Sequence, residues 1–187
     1  MNKPDFKDLP DEFILKKIVE EKKNELYDII YRRYFPRVTD KCYSFLKDKS
    51  KAREFANDIL IKVYEKLPGF RQDSSFSSWL YSVTYNYLID FLRKKKQLHY
   101  PRWNSENEIP EIIDETDSDI SEITYENLIS ILEKIHVEEK AILLMKYQDN
   151  LSLKEIAQIL IISEDAVKMR LKRARSRVIY LYQKNYS

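Results

Sequence analysis

A single glycine, Gly69, serves the whole of this 187-residue chain. Tight hairpin turns need residues that tolerate positive φ, glycine above all, so a chain almost without it cannot be rich in β-hairpins. The same scarcity argues against a glycine-rich phosphate-binding loop. Helix remains, and the spacing of the apolar residues agrees with it. Leu26, Ile29, Ile30, Tyr34, Val38, Cys42, Phe45 and Leu46 recur mostly three or four apart. So do Phe55, Ile59, Val63 and Leu67, and then Phe76, Leu80, Val83, Tyr87 and Phe91. The pattern predicts an all-α protein, with helices over about 11–21, 24–47, 51–67 and 76–96. In the first, Phe13, Ile14, Ile18 and Val19 are expected to face inward. Pro36 is expected to bend or break the second, and Pro68-Gly69 to end the third. A further helical series starts near Ser121.

Charge divides the chain. The formal net charge is only +2, so affinity for a polyanion would have to come from segregated patches rather than from bulk charge. From Asn104 to Asn127 there are nine acids (Glu106, Glu108, Glu111, Asp114, Glu115, Asp117, Asp119, Glu122, Glu126) and no Lys or Arg. Basic clusters flank this stretch, at Arg93-Lys94-Lys95-Lys96 and from Lys168 to Arg177. Two nucleic-acid-facing domains, 1–99 and 121–187, joined by an acidic flexible linker over 100–120, would account for that arrangement, and for the acids alone a merely solvated linker accounts for them as well. Cys42 is the one cysteine, so there is no internal disulfide and no cysteine-based zinc site; its apolar helix reads as core. The two histidines, His99 and His136, lack a carboxylate partner in any recognisable motif, and the acids form no metal-binding set. An enzyme is not expected, nor a cofactor or a metal. No apolar run approaches a membrane span and the polar start, Met1-Asn2-Lys3-Pro4-Asp5, is no signal peptide, so a cytoplasmic location is expected.

The last third carries a helix-turn-helix pattern from Ser152 to Arg177. Ser152-Leu153-Lys154-Glu155 has the spacing of a capping box, and Leu153, Ile156, Ala157 and Leu160 follow at helical intervals. Ile161-Ile162-Ser163 would be the turn, with Ser163 as the next N-cap and Glu164 and Asp165 in the first turn beyond it. The second helix buries Val167, Leu171, Ala174 and Val178 and carries Lys168, Arg170, Lys172, Arg173, Arg175 and Arg177 on its other faces. No acid occurs from Ala166 to the end. A helix with one apolar stripe and cations elsewhere can lie in a major groove and meet phosphates on both sides. A solvated, membrane-surface or RNA-binding basic helix has the same composition; the capped helix and short turn in front favour DNA. A glycine is common in such turns, and here Ile161 and Ile162 stand instead.

Upstream, the chain reads Glu54-Phe55-Ala56-Asn57-Asp58-Ile59, then Leu67-Pro68-Gly69-Phe70-Arg71, Ser75-Phe76-Ser77-Ser78-Trp79-Leu80, and Ile89-Asp90-Phe91-Leu92-Arg93. This segment resembles region 2 of a bacterial RNA polymerase sigma factor of the sigma-70 family. Glu155-Ile156-Ala157 with Val167-Lys168-Met169-Arg170-Leu171-Lys172-Arg173-Ala174-Arg175 resembles region 4. Only two such blocks are present, which is similar to the extracytoplasmic-function (ECF) group. Departures from that pattern are Arg53 in a usually acidic place, Glu54 for Asp, Asn57 for Gln, residues around Lys22 to Asn24 for a Gly-Asp, Ile161 for Gly and Ala166 for Thr.

The resemblance implies a subunit that binds core RNA polymerase, through the β′ coiled coil and the β flap, and selects promoters. Glu54, Asn57 and Asp58 would dock the coiled coil. Phe70, Arg71, Ser74 and Ser75 would form the loop that reads the −10 element, capturing an unstacked base with Asn86 at the pocket. Trp79 is expected to be core, and Arg93 and Lys94 with Lys95 and Lys96 to hold upstream phosphates. Arg170 and Arg173 would read −35 bases, with Lys168 and Lys172 facing the same element. Lys154, Arg175 and Arg177 would clamp phosphates. The acidic linker resembles one that threads the polymerase cleft, and an anti-sigma factor is an expected regulator. The alternative is a helix-turn-helix regulator that binds duplex DNA by itself.

Overall fold

The computed structural model describes residues 9–70, 74–97 and 124–186. The expected acidic linker, 100–120, lies outside the described residues, as does Arg71. Among the described residues all regular structure is helical. The chain divides into two compact units, Met1–Leu88 and Ile89–Ser187.

In the first unit, α1 (Asp11–Glu20) is followed by a 3₁₀ turn, Asn24–Leu26, that leads into α2 (Tyr27–Leu46). Asp48 then caps α3 (Lys49–Lys66) by accepting from the Lys51 amide at 3.1 Å. Another 3₁₀ turn, Leu67–Gly69, precedes α4 (Phe76–Gln97), which begins in this unit and from Ile89 onward counts with the second. Pro36 does not interrupt α2. It sits on the exposed side while Tyr34 and Val38 on either side are buried, so packing holds the helix and solvent can serve the carbonyl that the proline leaves without a donor.

Alternative apolar rows settle differently from the sequence pattern in two helices. In α1, Ile14, Leu15 and Ile18 are buried, whereas Phe13 is 45% exposed with the Lys17 ammonium 5.0 Å from its ring centre. The helix is turned this way by Asp11, which receives both the Arg33 guanidinium and the Tyr34 hydroxyl from α2. In α4 the buried row is Phe76, Leu80, Thr84, Tyr85, Leu88 and Ile89, and Val83, Tyr87 and Phe91 are half-buried. Buried Thr84 is tolerated because its hydroxyl donates to the Leu80 carbonyl at 2.9 Å. Large rings carry α4 onto its neighbours: Phe76 meets Tyr34 edge-on at 5.3 Å and Tyr85 meets Phe45 at 5.7 Å. Cys42 is fully buried, and burial pushes its thiol up to about 12, so it acts as a small hydrophobe.

The second unit holds α5 (Tyr125–Lys134), α6 (Val137–Leu143) with a π-helical turn at Leu144–Gln148, α7 (Leu153–Leu160) and α8 (Glu164–Tyr186). Helix α8 is the hub against which α5, α6 and α7 pack. Ile131, Ile135, Ile142, Met145, Ile156, Val167 and Ala174 are essentially closed to solvent. Within this unit Lys140 pairs with Glu133 at 2.7 Å and Arg177 with Glu139 at 2.8 Å, and both of these cations are buried.

Four described residues adopt positive φ and none is glycine: Lys22, Lys47, Asn150 and Ile161. Gly69 itself does not.

Candidate nucleic-acid and polymerase interfaces

The helix-turn-helix is assembled by local chemistry first. The Ser152 amide and hydroxyl both reach the Glu155 carboxylate, at 2.8 and 2.7 Å, and the Glu155 amide returns a bond to the Ser152 Oγ at 3.2 Å. These bonds hold the Glu155 carboxyl below the usual carboxylate range. Helix α7 ends where Ile161 takes a left-handed conformation (φ 55°, ψ 50°) and the Ile162 amide bonds back to the Ala157 carbonyl at 3.0 Å. Ser163 then caps α8 through the Ala166 amide at 3.2 Å. In α7, Ile156, Ala157 and Ile159 are buried, while Leu153 and Leu160 are half-buried.

On α8 the apolar stripe Val167, Leu171, Ala174 and Val178 faces the core as its spacing implies. Lys168, Met169, Arg170, Lys172 and Arg173 are exposed, as is Lys154 on α7. Lys168 is 3.2 Å from Asp165 one turn earlier. Arg175 is half-buried. Arg177 departs from the expected phosphate role: it is 8% exposed and its Nε donates to Glu139. Its side chain belongs to the core of this unit. Met169, 47% exposed among cations, was not singled out by the sequence pattern, which treats a lone Met as neutral. Lys146 and Tyr147, on the π-helical turn before α7, also lie beside this surface, because they line one cavity with Lys168, Lys172 and Arg175.

In the first unit the exposed side of α3 carries two adjacent rows. Arg53, Asn57 and Ile61 run toward α2: Asn57 Oδ1 accepts from the Tyr31 hydroxyl at 3.1 Å, and the Arg53 guanidinium lies 5.6 Å from the Phe35 ring centre. Tyr31 and Phe35 stack at 5.3 Å. Glu54, Asp58 and Lys62 form the neighbouring row beside Tyr87 of α4. The Lys62 ammonium is 4.8 Å from the Tyr87 ring centre. Burial, then the charges of Asp58 and Glu54, push the Tyr87 hydroxyl above the ordinary phenol range. The three expected polymerase contacts are thus all exposed, in two rows.

The expected −10 residues are placed less uniformly. Phe70 is half-buried and tucked against Trp79 at 4.9 Å and Phe76 at 5.9 Å, so it is not the free aromatic that the loop reading assumed. Trp79, expected as core, is half-buried in the same cluster. Ser75 starts α4 by accepting from the Ser78 amide at 3.2 Å, which gives it a capping role. Ser74 and Asn86 are exposed. Arg93 and Lys94 are exposed near the end of α4, Arg93 lying 3.6 Å from Asp90 one turn back.

Among the described residues no group of three or more His, Cys, Asp or Glu is arranged to hold a metal ion, and no helix is long and apolar enough to cross a membrane. Residues 30–97 match the family described as Sigma-70 region 2, and residues 125–178 match Sigma-70, region 4. The chain is 27% identical over 181 residues to the ECF RNA polymerase sigma factor SigW of Bacillus subtilis, covering 88% of this chain and 94% of that one. It is 25% identical over 155 residues to the ECF RNA polymerase sigma factor SigM of Mycobacterium tuberculosis, covering 83% and 76%. Among solved structures, CnrH in complex with the cytosolic domain of CnrY shares the fold with a TM-score of 0.63 at 16% identity, over 94% of this chain and 98% of that chain. Sigma factor RpoE in complex with the anti-sigma factor NepR, from Bartonella quintana, gives 0.57 at 18% identity, over 89% and 99%. With both regions matched in order, and relatives of the ECF type aligned along most of its length, this chain belongs to the sigma-70 family of RNA polymerase sigma factors, in the ECF group.

Proposed function

We propose that the chain acts in the cytoplasm as a promoter-selecting subunit of RNA polymerase, recognising −10 and −35 elements and assisting duplex opening without catalysis of its own. The observation that carries this reading is the sorting of side chains on α8. Val167, Leu171 and Ala174 are buried, and Lys168, Met169, Arg170, Lys172 and Arg173 stand out from a capped, rigid helix. Arg170 and Arg173 have the fork geometry that pairs with guanine, and Met169 offers an apolar surface to a thymine methyl. Polymerase docking falls to Glu54, Asn57 and Asp58 on α3, with Ser74 and Asn86 exposed for the −10 strand. An anti-sigma factor that covers these faces is the expected regulator, in keeping with the partners of the CnrH and RpoE structures.

Run-off transcription with core polymerase on a library of genomic fragments tests this. The wild-type chain should give discrete new start sites. Asn57→Ala should weaken assembly with core, and Arg173→Ala should leave assembly intact while removing start-site selection. Sequence-specific duplex binding by the chain alone, with no new start sites, would replace this reading with that of a stand-alone regulator.

A further inference from the structure

Helix α6 opens with two acids in its first turn, Glu138 and Glu139, and each receives an arginine from a different helix of the second unit. Glu139 takes Arg177 of α8, in a pair whose side chains are only 16% and 9% exposed. Glu138 takes Arg93 from the end of α4. That guanidinium donates from Nε at 3.0 Å and from Nη2 at 2.7 Å, both to Glu138 Oε1. Its Nη1 lies 3.6 Å from Asp90 one turn back, so carboxylates stand on two sides of it. Burial pushes the Glu138 carboxyl up, but the bonds from Arg93 and from its own amide, with the charges of Arg93 and His136, outweigh burial and hold it below the usual carboxylate range. Glu138 is therefore an anion at neutral pH.

Exposure separates the two pairs. Opening the Arg177 pair would strand a guanidinium in the core, so that pair is structural. Arg93 and Glu138 are 51% and 37% exposed, and a pair so wet shifts an equilibrium by only about threefold. A partner that offers a dense row of anions can displace Glu138. We infer that Glu138 is an internal competitor of promoter DNA: its carboxylate occupies the Arg93 guanidinium in the free chain, and a phosphodiester has to displace it before Arg93 can hold the strand. The inference rests on the reading that Arg93 holds an upstream phosphate, and it adds a restraint from a residue outside the DNA-facing set. The Nε–Nη2 edge of a guanidinium is one of its few paired-donor edges, and here a carboxylate already fills it.

The test uses the full chain and a fluorescein-labelled duplex of random sequence, with binding followed by anisotropy at about 50 mM KCl. Glu138→Gln should tighten binding about threefold. The gain should vanish in a chain that also carries Arg93→Gln, because no guanidinium is left to release. In the Glu138→Gln chain, adding Arg93→Gln should reduce the slope of log affinity against log salt by about one. The Arg93 Nε–H resonance should be protected from exchange in wild type, lose that protection in Glu138→Gln, and shift when duplex is added. A gain from Glu138→Gln that persists without Arg93 would be a general effect of removing an acid and overturns the competition. So does an unchanged affinity in Glu138→Gln while Arg93→Gln still weakens binding; the phosphate reading of Arg93 then stands alone. An Arg93→Gln change that alters neither affinity nor slope in the Glu138→Gln chain refutes the phosphate reading itself, and the competition with it. Duplex binding absent with and without Glu138 refutes both.

Discussion

Ile161 offers the sharpest test of how this chain manages with one glycine. It closes α7 in the left-handed region, at φ 55° and ψ 50°, and its side chain is 85% exposed. For an L-residue that conformation costs about 1–2 kcal/mol, with a β-branched side chain at the upper end. Full burial of an isoleucine is worth about 1.5–3 kcal/mol, so the small covered fraction here returns less than roughly 0.5 kcal/mol. Replacing it with asparagine, which tolerates the left-handed region, should stabilise the second unit by about 1 kcal/mol. Glycine should give about half of that, because it also loosens the unfolded chain. Ile161→Val, which keeps the branch, should change nothing. Native-state hydrogen exchange of the Leu171 and Ala174 amides in α8 reads the effect, and 1 kcal/mol appears as about a fivefold slower exchange. Faster exchange in the asparagine variant, or an equal gain in the valine variant, would show that the strain argument is mistaken.

Gly69 is the converse case: it lacks positive φ, and a Cβ there would meet nothing within 4 Å. Gly69→Ala should raise stability by about 0.4–1 kcal/mol in denaturant titration, and a loss would mean the turn needs glycine for another reason. Arg177→Ala should cost about 1–3 kcal/mol by removing a buried guanidinium and leaving the half-buried Glu139 carboxylate with the His136 amide, and circular dichroism should show the unit melting early. Arg173→Ala, exposed four residues earlier, should melt like wild type. Burial pushes the Asp149 carboxyl from the ordinary 3.8 up to about 6. Folding therefore favours its neutral form, and the stability it contributes is full below about pH 4 and lost as pH rises through 6. Asp149→Asn should raise the melting temperature relative to wild type at pH 7.5 and not at pH 4. The gain should be under about 1 kcal/mol, because the carboxylate is only half-buried and solvent screens it. An equal gain at both pH values would remove titration as the cause.

Much of the site was readable because it depends on residues close in sequence. The Ser152–Glu155 capping box, the stripe Val167, Leu171, Ala174 and Val178, and the exposure of Lys168, Arg170, Lys172 and Arg173 all follow from spacing along one helix. The exposed faces of Glu54, Asn57 and Asp58 follow likewise from the apolar row Phe55, Ile59 and Val63.

What spacing could not decide is the choice between two equally apolar rows, or between two identical side chains. In α4, Val83 and Tyr87 compete with Thr84 and Tyr85, and the second pair is buried because Phe45 from another helix meets the Tyr85 ring. Phe70 yields its freedom to Trp79 and Phe76 in the same way. Arg173 and Arg177 look alike in the chain, yet Glu139, thirty-eight residues before Arg177, takes only the latter into the core. Lys146 and Tyr147 come beside Lys168, Lys172 and Arg175 of α8 only through the turn that carries them there. The sequence by itself determined the helices, their caps and their amphipathic periods, since those are local properties of the backbone and its nearest side chains. The tertiary structure decided which row is buried and which cation stays free, because burial and ion pairing require a second element, and sequence distance says nothing of which element arrives.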